Sequence, residues 1–393
     1  MTFDAVVIGG GPAGATAAAD LAEAGRSVLL LDRAGRIKPC GGAVPPRLLA
    51  DFAVPEAMLV ARARSARMIA PSSRTVDMPV GDGFVGMVDR DTFDEWLRDR
   101  AAKLGAERRI GTFEALERDT DGTAIVRYHA ERGGAPQRVR ARAVIGADGA
   151  RSAVARQALG AQRVPCVYAY HEVIRAPAEG AAGYEAGRCD VFYQGDLSPD
   201  FYAWIFPHGD TASVGVGSAD KGFGLRDAVQ RMRSRNGLEH CETLRREGAP
   251  IPLKPLRRWD NRRDTIVVGD AAGVVAPASG EGIYYAMTSA RFVAQAVDQF
   301  LVTGDARVLR TARKRFMREH GRTFWILGIM QYFWYKNDKR RERFVKICAD
   351  PDVQELTWQA YMNKRLVRAK PGAHLRIFLK DTAHLLGLAP VAR

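Results

Sequence analysis

Apolar positions in this chain fall into three kinds of run. Short unbroken runs stand at 5–8 and at 265–268, with the length and composition of parallel strands buried on both faces. A second kind alternates. Met68 and Ala70, then Val76, Met78 and Val80, and after residue 164 the segments 167–173, 190–194, 202–206 and 212–216 carry the period of antiparallel strands. The third kind has helical spacing. Residues 13–24 are almost all Ala and Leu with Asp20 and Glu23 on the wet side, 283–301 is a long apolar helix, and in 307–318 Val308, Leu309, Ala312 and Phe316 share one face. Further strands are predicted at 110–117, 124–130 and 137–145, and a helix with acids in its first turn follows Val88. The pattern predicts an α/β (α+β) protein. Residues 1–163 form a parallel-sheet domain to which 257–303 returns, 164–256 an antiparallel-sheet domain joined by strands around 60–82, and 304–393 a helical region.

Composition adds little, but charge distribution adds much. Of 393 residues, 47% are apolar and 26% charged, as in ordinary globular proteins. The formal charge is +14, and residues 305–393 carry 20 lysines and arginines against 8 acids, so nearly all the excess lies in the tail. Five scattered cysteines without a C-x-x-C pair, and histidines without ligand spacing, predict neither a disulfide framework nor a metal site. The first strand begins within a few residues of Met1 and no apolar run reaches membrane-spanning length, so the expectation is a cytoplasmic protein. The aromatic run 324–335 between basic flanks reads either as a buried helix or as an interfacial one resting on anionic lipid.

The first thirty residues carry chemistry. Gly9-x-Gly11-x-x-Gly14 lies between a strand and a helix, and Asp32 ends the next strand eighteen positions beyond Gly14. Gly9 permits the tight turn, Gly11 lets backbone approach a pyrophosphate, Gly14 lets helix and strand pack closely, and free N–H groups at the helix start attract the anion. Asp32 suits unphosphorylated ribose hydroxyls, which favours FAD or NAD over NADP at this position.

That fingerprint, the turn Gly146-Ala147-Asp148-Gly149 and the strand ending at Gly269-Asp270 resemble the three FAD signatures of the p-hydroxybenzoate hydroxylase superfamily. The resemblance implies a Rossmann-like FAD-binding domain of that type, an antiparallel-sheet substrate domain and FAD as cofactor. It carries cofactor contacts onto Gly9, Gly11, Pro12, Ala13, Gly14, Asp32, Arg33, Asp148, Gly149, Gly269, Asp270, Gly280, Gly282 and Ile283, with Arg90 of Val88-Asp89-Arg90 as the cofactor-side arginine. Asp270 would bind a ribityl hydroxyl, and the helix after Gly280-Glu281-Gly282 would aim its positive end at the flavin.

Within that superfamily, Lys38-Pro39-Cys40-Gly41-Gly42 and Tyr202-Ala203-Trp204-Ile205-Phe206-Pro207 resemble the geranylgeranyl reductase family, and most nearly its pigment-pathway branch. The resemblance covers nearly the whole chain and implies reduction of a geranylgeranyl chain to phytyl, on a tetrapyrrole ester or a prenyl diphosphate, with NADPH as donor. No second glycine-rich nucleotide fold is present, so NADPH would bind transiently or another carrier would serve. Cys40, Gly41 and Gly42 would lie by the flavin, Cys40 as catalytic acid, and Tyr202, Trp204, Phe206 and Pro207 would wall the prenyl site. Residue types alone leave Cys40 equally a small packing residue in a Gly-Gly turn, and aromatic stripes at strand period are more often plain core. His208 reads as a surface turn histidine or a polar group at a tunnel mouth. A substrate delivered from a bilayer implies peripheral attachment to a membrane. The competing readings are an FAD monooxygenase acting on an aromatic or prenyl substrate, an archaeal-type lipid reductase, and a flavin redox sensor whose basic tail binds nucleic acid; no nucleic-acid module is visible.

Overall fold

The computed structural model describes residues 2–33, 35, 37–160, 164–178 and 180–364; Arg36 of the Lys38 loop and residues 365–393 of the basic tail lie outside the described residues. The chain divides into two compact units, Met1–Cys40 with Arg90–Val167 and Ala249–Gly328, and Gly41–Asp89 with Tyr168–Gly248 and Ile329–Arg393.

The first unit is built on a seven-stranded sheet. Its order runs Glu107–Ile110, Val28–Asp32, Thr2–Ile8, Pro136–Gly146, Ala124–His129, Thr112–Arg118, with Thr265–Val267 paired to Pro136–Gly146. Thr2–Ile8 pairs in parallel with both neighbours, and Thr265–Val267 is also parallel, as the unbroken apolar runs require of strands covered on two faces. Val6, Val7, Ile8 and Ile266 are all fully buried. The helix Pro12–Glu23 packs against Arg90–Lys103 and Ile283–Thr303. Its alanines make that approach close: Ala15, Ala17, Ala18 and Ala19 are buried with hardly any side chain to hold neighbours apart.

The second unit holds a seven-stranded sheet in the order Thr243–Pro252, Cys166–Arg175, Thr211–Ser218, Ala203–His208, Arg188–Phe192, Ser65–Ile69, Thr75–Pro79. The pairings are antiparallel along the Cys166–Arg175 to Ala203–His208 core of the sheet, with one parallel pair between Arg188–Phe192 and Ser65–Ile69. Ala203, Ile205, Val214 and Val216 face one way and pack on Ala228, Val229 and Met232 of the helix Leu225–Arg235. Period-2 alternation puts Trp204, Phe206 and His208 on the opposite face.

After residue 306 the described chain is helical: Arg310–Trp334, Asp338–Ile347 and Pro351–Asn363. The run 324–335 is neither wholly core nor wholly exposed. Phe324, Trp334 and Tyr335 are buried, whereas Trp325, Ile329, Tyr332 and Phe333 stand out, Trp325 and Tyr332 at 67% and 71%. Among the described residues no helix is long and apolar enough to cross a membrane.

Candidate functional site

In the first unit the three separated glycine signatures meet. Gly9 has φ +107°, and a Cβ on it would fall against the Ala147 carbonyl, so the fingerprint turn and the 146–149 turn lie in direct contact. A Cβ on Gly14 would overlap the Gly9 carbonyl, and one on Gly269 would sit 2.7 Å from Ala13 Cβ. These are close approaches that only glycine permits. Gly11 is different: nothing lies within 4 Å of its missing Cβ, and it caps the helix Pro12–Glu23 without any side-chain cap bond. Open backbone plus an uncapped helix start is an anion cradle. Asp32 flanks it, and a Cβ on Gly10 would come within 2.6 Å of Asp32 Oδ2. Asp270, almost buried, follows Gly269, and Gly282 caps the helix Ile283–Thr303 close to the Asp270 carboxylate. Gly280 takes φ +65° in the turn before it, Ile283 is buried, and Arg33 is exposed. A dinucleotide with a ribose, a pyrophosphate and a polyol finds matching partners here, so the residues present fit FAD.

Two expected ligands have other engagements. Asp148 turns into the start of the helix Ala153–Leu159, accepting from Ser152 Oγ at 2.5 Å, Ala153 N at 2.6 Å and Val154 N at 3.2 Å. Burial outweighs those bonds and pushes its carboxyl above the ordinary range. Gly149 beside it has φ +84° and open space around it. Arg90 is buried and forked onto Asp94, Nε to Oδ1 at 2.8 Å and Nη2 to Oδ2 at 2.7 Å. Burial opposes its charge, but Asp94 and a contact with the Cys40 sulfur more than offset that, so the guanidinium holds its proton even more firmly than usual.

Three neighbours were not among the expected cofactor contacts. Lys38 pairs with Asp270. Asp94 holds Arg90. Arg98 reaches both the Gly10 carbonyl at 3.2 Å and Asp32 Oδ2 at 3.4 Å, and its Nε donates to Glu95. Arg90, Asp94 and Arg98 recur at four-residue spacing on one helix, a signal the sequence did carry.

The chain passes into the second unit after Cys40 and returns before Arg90. There Val88 N donates to the Gly42 carbonyl at 3.0 Å. A Cβ on Gly41 would lie 3.2 Å from the Phe206 ring and 3.8 Å from Trp204 Nε1. Gly42 has φ +72°, and a Cβ there would come within 2.5 Å of both His208 Nε2 and the Val88 carbonyl. So Trp204, Phe206 and His208 lie along the Gly41-Gly42 turn. Pro207 falls between them on the other face, and Tyr202 stacks on Phe201 at 4.2 Å while meeting Trp204 edge-on.

His208 is therefore not a surface turn histidine. It closes the strand Ala203–His208 at 8% exposure, and its Nδ1 lies 3.2 Å from the Phe206 carbonyl. A carbonyl only accepts, so Nδ1 carries the hydrogen and Nε2 is a bare acceptor. Burial, with weaker repulsion from His171 and Arg245, lowers its pKa to about 4 and keeps the ring neutral. The position just after Pro207 suggests a turn, but the pairing of His208 with Thr211 keeps it in the strand.

Residues 49–171 match the family model described as FAD binding domain, residues 7–48 that of the NAD(P)-binding Rossmann-like domain, and residues 224–382 that of Lycopene cyclase protein. The geranylgeranyl diphosphate reductase of Rhodobacter capsulatus is 53% identical over 390 residues, covering 99% of this chain and 99% of that one. The protein of the same description from Synechocystis is 36% identical over 412 residues, covering 99% and 100%. A solved structure from Thermoplasma acidophilum, described as geranylgeranyl bacteriochlorophyll reductase-like, superposes with a TM-score of 0.79 at 21% identity over 98% of both chains; at that identity the likeness speaks to the fold alone.

Proposed function

The chain belongs to the geranylgeranyl diphosphate reductase family, and from that premise we propose that it saturates isolated double bonds of a geranylgeranyl chain, carried on a (bacterio)chlorophyll or as the free diphosphate, to give phytyl. It is an FAD-dependent reductase. The observation that carries the reading is full-length similarity to reductases of this description, together with the nucleotide cradle of the first unit, whose residues fit FAD.

The backbone from Gly9 to Gly14 would hold the pyrophosphate, Asp32 the adenosine ribose and Asp270 the ribityl chain, with Lys38 giving up its ion pair to do so. Bound there, FAD in its reduced form supplies a hydride. An isolated trisubstituted alkene is not polarised, so one carbon must receive a proton while positive charge builds on its tertiary neighbour, the carbon to which the hydride would go. Cys40 is the acid we assign. Its thiol gives its proton to the first carbon, and the thiolate left behind is stabilised by the Arg90 guanidinium, whose orientation Asp94 fixes. Gln or Ala at Arg90 would leave that thiolate without a counter-charge. NADPH is the proposed donor of the electrons.

We further propose peripheral attachment to an anionic membrane. Trp325, Ile329, Tyr332 and Phe333 recur at helical spacing and form one exposed stripe, followed by exposed Lys336 and Lys339. Aromatic rings beside ammonium groups match the boundary between acyl chains and lipid phosphate.

The deciding experiment incubates the FAD-loaded protein with a geranylgeranylated chlorophyll or geranylgeranyl diphosphate and a reductant, without oxygen, and weighs the product. A gain of six hydrogens, three bonds saturated, supports the reading. A product of unchanged mass without oxygen and heavier by one oxygen with it would replace the reductase by a monooxygenase.

A further inference from the structure

A polar string crosses the second unit's sheet on the face that carries Trp204. The indole Nε1–H donates to Ser213 Oγ at 3.1 Å, His171 Nδ1 lies 3.0 Å from the same oxygen, and His171 Nε2 stands 3.1 Å from Glu247 Oε2. At the last of these the two side chains lie close without the alignment of a hydrogen bond. Glu247 in turn faces Arg245 Nε at 3.2 Å through its other oxygen. His171 and Ser213 are almost wholly buried. A hydroxyl and an imidazole inside a sheet are unfavourable unless something there needs their hydrogen bonds.

What the string holds is the indole. On one side Gly215 has no room for a Cβ, which would fall inside the Trp204 ring and against His171 Cβ. On the other side lies Gly41, close to both Trp204 Nε1 and the Phe206 ring. Trp204, Phe206 and His208 are alternate residues of one strand, so fixing the indole fixes one end of a row of three rings lying along Gly41 and Gly42. Those two residues follow Cys40 directly. The order serine, histidine, glutamate is also that of a nucleophilic serine, but Ser213 Oγ already receives the indole N–H and is buried at 2% exposure, so no carbonyl substrate reaches it.

We propose that Glu247, His171 and Ser213 are positioning residues that pin the Trp204 indole, and that Trp204, Phe206 and His208 form the seat setting the Gly41-Gly42 backbone and, through it, the pose of the Cys40 thiol. This rests on the reductase reading only where turnover is the readout.

Two variants of the FAD-loaded protein test it. Ser213→Ala removes the acceptor of the indole N–H at almost constant volume, and Trp204→Phe removes the donor while leaving the whole string in place. Alkylation of Cys40 by iodoacetamide, mapped by peptide mass and divided by that of Cys241, reports the pose of the thiol independently of turnover. Each variant is expected to change that ratio by about fivefold, the worth of one buried hydrogen bond, and to lower kcat by a similar factor with KM nearly unchanged. The double variant is expected to be no worse than the worse single one, because both break the same bond. An unchanged alkylation ratio alongside a lowered Tm would overturn the proposal and leave the string a packing feature. A raised KM at constant kcat would overturn it too, making the indole a substrate wall. If the parent protein fails to reduce any geranylgeranyl substrate, the functional reading falls, while the alkylation ratio still decides this one.

Discussion

Replacing His208 with asparagine should change how stability depends on pH more than it changes stability itself. The buried ring titrates at about 4 in the folded protein against an ordinary 6.5. A base whose folded pKa is depressed contributes no pH dependence above 6.5, where both states are neutral. Below 6.5 the unfolded chain binds a proton that the folded one refuses, so stability is lost as pH falls and the loss levels off only below about 4. At about 1.4 kcal/mol per unit, the difference between pH 7.5 and pH 5 comes to ~2 kcal/mol. Asparagine keeps an N–H near the place of Nδ1 for the Phe206 carbonyl but takes up no proton. At pH 7.5 the variant should be the less stable of the two, through lost packing against Gly42; by pH 5 the gap should have closed by ~2 kcal/mol. The assay is urea unfolding of both proteins, saturated with FAD, at half-unit steps of pH, with the m-value confirming that the same surface is exposed throughout. Other titrating groups are shared and cancel in the difference. Two parallel curves with a constant offset from pH 7.5 to 5 would refute the reasoning: the ring would then be protonated in the fold, and the bare Nε2 lying against Gly42 would not exist.

The remaining predictions concern the cradle, the buried pair and the stripe. Gly14→Ala puts a methyl group onto the Gly9 carbonyl and should yield a colourless protein that does not take up FAD on reconstitution; a yellow variant with normal flavin affinity would show that the helix can slide aside. Asp94→Asn strands a buried guanidinium and should cost about 3 kcal/mol or more in urea unfolding, whereas Arg90→Met with Asp94→Leu should cost less than the single change despite removing both charges. Trp325→Ala with Tyr332→Ala should weaken co-sedimentation with anionic vesicles at low salt at least tenfold without lowering Tm, since both rings are exposed; equal binding by parent and variant would assign membrane contact, if any, elsewhere.

The reductase reading draws together features that are far apart in the chain. Arg90 is the return point from the second unit and Cys40 the point of departure, and their contact puts a cation beside a thiol. On the reading proposed above, Arg90→Gln is expected to lower kcat, and turnover unchanged in that variant would remove Arg90 from the chemistry.

How much of this was legible beforehand depends on distance along the chain. The strand, three glycines, helix and acid from Phe3 to Asp32 interact within thirty residues, through hydrogen bonds and sterics that any such segment must satisfy, and they stand in the structure as read. Period alone likewise placed Trp204 and Phe206 on one face, and predicted the helical stretch after residue 306. What no spacing could reveal is which distant groups the sheet register would bring opposite one another. Ser213 meets Trp204 across a hairpin and His171 because the strand Cys166–Arg175, far earlier in the chain, pairs with its own at one register; a slip of one residue would have turned that hydroxyl to the far face. Asp148 was engaged by a helix start whose boundary depends on Ser152, His208 was drawn into a strand by its pairing partner, and the 324–335 run split between core and surface according to which side of one helix met a neighbour. Local periodicity decided the elements and the cradle; burial, a property of the assembled chain, decided which polar groups are held, which are neutral and which face water.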